Sequence, residues 1–148
     1  MILTDKRHPW ADARNFLYDM WKFLGLPEPT PVQYDAIHYL QNAVEGKENA
    51  KEGQRKIIEA YRGAGKSYIS SAFCIWCWFW KPNFKVMVVS GAGARAKDFT
   101  TFCLKVLNDW DAVNHLYPRH DQRTSVASFD VNGSEPDHSP SLKSVGIN

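Results

Sequence analysis

The sequence predicts an α/β fold, and three observations carry that prediction. A short apolar run, a glycine-bearing turn and a helical stretch follow one another over residues 55–80. The same order recurs over residues 84–110. Phe84 to Ser90 (FKVMVVS) is apolar enough to be buried on both faces, as in a parallel sheet. Strand–turn–helix repeated in this way implies a right-handed α/β core.

Along the chain, Phe16, Leu17, Met20, Phe23 and Leu24 recur at helical spacing within residues 10–24, and Gly25 and Pro27 end that helix. Thr30-Pro31 supplies an N-cap and a proline at the first helical position, opening a second helix to about Val44 with Ile37, Leu40, Gln41 and Val44 on one side. Residues 45–54 are polar and mixed in sign, as in a surface connection or a short solvated helix. Lys56 to Ala60 reads as a short strand, followed by a turn and a helix from Lys66 to about Trp80 that Pro82-Asn83 breaks. After the strand ending at Ser90, Gly91 to Gly93 turn into a helix from Ala94 to about Trp110. Beyond Pro118, Ser125 to Val131 alternates like a strand and Leu142 to Ile147 suits another, with a turn-rich stretch between.

At 148 residues there is room for one domain but not two full ones. A net charge of +2 makes no global electrostatic case for nucleic acid or membrane, so any nucleic-acid contact must be local. Three cysteines and no apolar leader point to a reducing compartment, and no run reaches the roughly 18 apolar residues of a spanning helix. Six tryptophans are unusual, and the ending Val145-Gly146-Ile147-Asn148 looks like the finish of a strand, as in a truncated chain.

Ala60-Tyr61-Arg62-Gly63-Ala64-Gly65-Lys66-Ser67 matches the P-loop pattern with alanine for the first glycine, a position that only needs to be small. Glycines let backbone N–H groups turn inward on an anion, and the helix from Lys66 aims the positive end of its dipole at it. Lys66 suits the β and γ phosphates of ATP, and the Ser67 hydroxyl suits Mg²⁺. Arg62 is either a solvated loop arginine or a group that stabilises charge on the γ-phosphate. Gln33 offers donor and acceptor to an adenine edge, or a capping role.

Other patterns have plainer readings. Gly91-Ala92-Gly93-Ala94-Arg95-Ala96 matches a dinucleotide fingerprint, but Asp109 and Asp111, near the expected distance, sit at the end of a helix. Cys74 and Cys77 lie mid-helix among apolar residues, where cysteine serves as a small buried group. The aromatic run Trp76, Trp78, Phe79, Trp80 suits core packing better than base stacking. The five histidines form no ligand spacing or triad.

Residues 59–102, with the arginine before Gly-Ala-Gly-Lys-Ser, the aromatic-rich helix and the strand ending in Val-Ser-Gly before an arginine-bearing helix, resemble the large terminase subunit of tailed double-stranded DNA bacteriophages, most closely the short-tailed type. Pro31-Val32-Gln33-Tyr34 is similar to that family's adenine-recognition segment, and the resemblance fades after residue 110, covering the last two-thirds of the chain. It implies an ATP-driven motor pumping double-stranded DNA into a capsid in the cytoplasm of an infected bacterium. A portal protein, a small terminase subunit and a homo-oligomeric ring would accompany it, with no membrane.

In that family, residues 60–67 and Gln33 would bind ATP, Lys66 and Arg62 would serve catalysis, and Ser67 would hold Mg²⁺. Ser90 and Arg95 would face DNA or couple to it. The expected architecture is therefore a P-loop NTPase fold of the RecA-like (ASCE) class, a three-layer sandwich with an incomplete sheet. A helical lead at residues 1–30 precedes a partial ATPase domain at 31–148. The acidic Walker B strand is not recognisable, since Asp130 lacks a preceding apolar stretch and a following acid, and the family's nuclease is absent. Rapid turnover is not expected. The competing expectations are a piece of a helicase-like ATPase and a non-catalytic nucleotide-binding module.

Overall fold

The computed structural model describes residues 4–45 and 55–147. The expected polar connection at 45–54 lies, apart from Glu45, outside the described residues. The chain divides into two compact units, Met1–Trp76 and Cys77–Asn148, and the division falls within a helix.

In the first unit a 3-10 turn, Pro9–Ala11, leads into α1, Ala13–Leu24, whose N-cap Asp12 accepts from the Arg14 amide. Gly25 ends α1 in the left-handed conformation at φ 73°, a geometry that costs glycine little. Thr30 caps α2, Pro31–Val44, through a full capping box with Gln33. The next helix, α3, runs Lys66–Trp80. Phe16, Leu17, Met20, Ile37, Ile75 and Trp76 are buried, and Trp10 packs edge-on against Phe16 with centroids 4.8 Å apart.

The second unit contains a three-stranded sheet in the order β1-β3-β2, with β1 Val86–Ser90, β2 Ser128–Phe129 and β3 Leu142–Gly146. β1 and β3 are parallel, with Val86 opposite Leu142, while β2 runs antiparallel to β3. Helix α4, Gly93–Asp109, connects β1 onward and touches both parallel strands. Its buried stripe Ala96, Thr100, Cys103, Val106, Leu107 has helical spacing. Trp78 packs edge-on against Phe129, and its indole N–H donates to the Phe84 carbonyl at 2.9 Å.

The structure is thus mixed α/β as expected, with three departures. Residues 55–60 form no strand. Exposure still alternates there, but no backbone-to-backbone hydrogen bond joins them to another segment among the described residues, and a strand exists only through its ladder. β1 is not buried on both faces: Met87 and Val89 are exposed at 63% and 52%, because its burial alternates with the pleat. The alternating stretch 125–131 contracts to the two residues of β2.

All three cysteines are buried and none forms a disulfide, and burial alone pushes the Cys74 thiol up to about 12. Among the described residues no cluster of three or more His, Cys, Asp or Glu is placed to hold a metal ion. Nor is any helix there long and apolar enough to cross a membrane.

Candidate functional site

The loop between residue 60 and α3 is shaped by two glycines in the left-handed region, Gly63 at φ 92° and Gly65 at φ 84°. Between them Ala64 is buried, and its amide donates to the Tyr61 carbonyl at 3.2 Å, closing a turn. The first helical bond runs from Ile69 N–H to Gly65 O at 2.9 Å. The amides of Gly63, Gly65, Lys66 and Ser67 have no hydrogen-bond partner among the described residues. Helix starts leave such donors by construction, and together with the dipole they favour an anion.

Lys66 reaches back to donate from Nζ to the Ala60 carbonyl at 2.7 Å. The Ser67 side chain makes no hydrogen bond among the described residues, while its carbonyl accepts from the Ser71 hydroxyl. Arg62 is exposed, with no hydrogen bond or ion pair among the described residues, and Tyr61 is exposed beside it.

Gln33 is tied to this loop. Its Oε1 accepts from the Thr30 amide at 3.0 Å, completing the capping box, and its Nε2 donates to the Ala64 carbonyl at 3.1 Å. A Cβ on Gly65 would lie 3.0 Å from that same nitrogen. A carboxamide has two N–H groups and two acceptor positions, so one of each remains for another partner. Next to the loop lies a groove of about 360 Å³ lined by Val32, Ala36, Tyr39, Ile57 and Ile69, with Lys66 at its side.

The first unit therefore gathers Gln33 and residues 60–67 into one place. Ser90 and Arg95 belong to the second unit. There the Ser90 hydroxyl accepts from the Ala92 amide at 3.3 Å, its carbonyl accepts from Ile147, and Arg95 is exposed in the first turn of α4.

Asp130 is committed elsewhere: Arg123 donates to both carboxylate oxygens, at 2.9 to 3.2 Å, and to the carbonyls of Asp137 and His138. Burial raises the Asp130 pKa, but the Arg123 hydrogen bonds and charge outweigh it and hold the carboxyl below the usual range.

Sequence reasoning offered a capping role for Gln33, which the structure shows, and missed one contributor, Gln41. The spacing Thr30-x-x-Gln33 signals a capping box, which assigns Gln33 a local partner before any ligand. Gln41, placed on an apolar helix face, is buried and bonds the chain at Ala11 and Ala13, a role that no local pattern reveals.

No family model matches the chain. Over 137 residues, 93% of its length, it is 39% identical to the large terminase subunit of Enterobacteria phage T3. The chain is homologous to a large terminase subunit. The terminase similarity extends well past the two-thirds expected from the motifs, and so beyond residue 110. The chain spans 22% of that terminase's length.

Proposed function

We propose that this chain is the nucleotide-binding part of a phage DNA-packaging motor, with a P-loop fold of the RecA-like class built around residues 60–67. The observation that carries the reading is the pair of left-handed glycines, Gly63 and Gly65, leading into a helix whose first amides are unpaired. Homology to a terminase large subunit supplies the setting.

In this reading the loop amides and the Lys66 ammonium bind the β and γ phosphates of ATP. The ammonium exchanges the Ala60 carbonyl for phosphate oxygens, a stronger, charge-assisted partner. The Ser67 hydroxyl is the donor on this loop that suits Mg²⁺, which would neutralise phosphate charge when bound. Arg62, exposed and unpaired among the described residues, is placed to answer charge on the γ-phosphate. Gln33 presents its remaining N–H and lone pair to the adenine edge while holding Ala64. Ser90 and Arg95 serve contact with double-stranded DNA or coupling to it. The whole motor works in the host cytoplasm as a ring, with a portal protein and a small subunit as partners.

Phosphoryl transfer depends on positioning and charge stabilisation, including a group that orients the attacking water. Asp130, the carboxylate that the sequence singles out, is locked to Arg123, so binding without rapid hydrolysis is expected of this chain. Titration calorimetry with Mg²⁺ and ATP tests the reading. Saturable heat that Lys66→Ala weakens by about ten- to a hundredfold is expected, the worth of a hydrogen bond to a charged group. No heat from folded wild-type chain overturns it.

A further inference from the structure

Residues 10–13 are held by polar side chains from both helices that flank the phosphate loop. From α2, Gln41 accepts at Oε1 from the Ala13 amide at 2.7 Å and donates from Nε2 to the Ala11 carbonyl at 3.0 Å. From α3, the Trp76 indole N–H donates to the Trp10 carbonyl at 2.7 Å. Trp76 is fully buried and Gln41 nearly so, and both are satisfied there. A buried amide or indole N–H that loses its partner carries its full desolvation cost, so these bonds resist displacement.

The other end of α2 bears Gln33, eight residues or about 12 Å earlier along the helix, and Gln33 holds the Ala64 carbonyl. Ala64 sits between the two left-handed glycines and two residues before α3 begins. The bonds therefore close a circuit: α3 to residues 10–13, to α2, to the phosphate loop, and back to α3. We infer that residues 10–13 form a brace that sets α2 against α3 and so holds the loop in its anion-receiving shape. Gln41 and Trp76 are then positioning residues for nucleotide binding, acting through Gln33 and Ala64. The inference rests on the nucleotide-binding reading for its purpose, though not for its geometry.

The test is amide hydrogen exchange in the 148-residue chain carrying Gln41→Leu, which keeps the bulk and loses both bonds. Ala64 and Ile69, whose amides donate to the loop carbonyls of Tyr61 and Gly65, report on its shape. Val86 and Ser144, bonded within the second unit, serve as controls. Exchange at Ala64 and Ile69 should rise about three- to thirtyfold with the controls unchanged, the range for mutations that tune coupling without touching a ligand. Affinity for Mg²⁺ and ATP should fall by a similar factor.

Faster exchange confined to residues 10–24, with Ala64, Ile69 and affinity unchanged, overturns the brace. Should Gln41→Leu fail to fold, Trp76→Phe keeps a ring in the core without the N–H and is judged by the same amides. The reciprocal variant Gln33→Ala should move the Trp76 indole N–H resonance, and a stationary resonance also overturns the proposal. A wild-type chain that binds no ATP would sink the nucleotide reading alone, because the exchange readout needs no ligand.

Discussion

Two turns in this molecule share one glycine spacing and differ in backbone. Gly63-Ala64-Gly65 and Gly91-Ala92-Gly93 each follow an apolar run and open a helix. In the first, both glycines have positive φ; in the second, neither does. The first has a crowded neighbour, with Gln33 Nε2 at 3.0 Å from a Cβ built on Gly65. Around the second, Gly91 meets nothing and Gly93 only the Gly146 Cα at 3.9 Å, an ordinary contact. Only the 63–65 turn needs glycine for its conformation. The lesson is that glycine spacing alone does not fix a turn's backbone: the dihedral angles separate these two.

That comparison can be broken by substitution. The largest effect is expected from Gly65→Ala, where left-handed strain of about 1–3 kcal/mol adds to displacement of Gln33. Urea denaturation should show that loss, and calorimetry the disappearance of nucleotide heat. Gly63→Ala meets no neighbour, so only the backbone cost of about 1–2 kcal/mol is expected. Gly91→Ala and Gly93→Ala should act in the opposite sense, stabilising by about 0.4–1 kcal/mol through the unfolded chain. Destabilisation by either of those two as large as that of Gly65→Ala would erase the distinction between the turns.

The smallest effect concerns satisfied rather than open polar groups. Asp130 is lowered in the folded chain, so its contribution is present above the unfolded carboxylate value of about 4 and fades as pH falls through the lower folded value. Stability measured from pH 5 down to 2 should decline more steeply in the wild type than in Asp130→Asn. Equal slopes would mean that Arg123 does not hold the carboxylate in solution.

Much of the fold could be read in advance where the cause is local. Thr30-Pro31 opens α2, Gly25 closes α1, and α3, β1 and α4 fall within a residue or two of their expected limits. The loop at 60–67 was legible for the same reason, since its glycines, lysine and serine are contiguous. The strand expected at 55–60 was not realised, because its ladder needs a partner far along the chain. Exposure of Met87 and Val89 was hidden likewise: an apolar strand does not say how many of its faces are covered. The residue type of Gln33 suits an adenine edge or a cap; the cap to Thr30 is local and legible, whereas the bond to Ala64 is not.

By itself, then, the sequence determined the helix limits and the make-up of the glycine-bearing loop at 60–67, since caps, prolines and glycines act through bonds spanning a few residues. Tertiary structure alone decided three things: which glycine turn would adopt left-handed angles, which strands would find ladders, and which buried polar groups would reach across to Trp10, Ala11 and Ala13. Those outcomes depend on distant chain segments meeting, and no local pattern encodes the meeting.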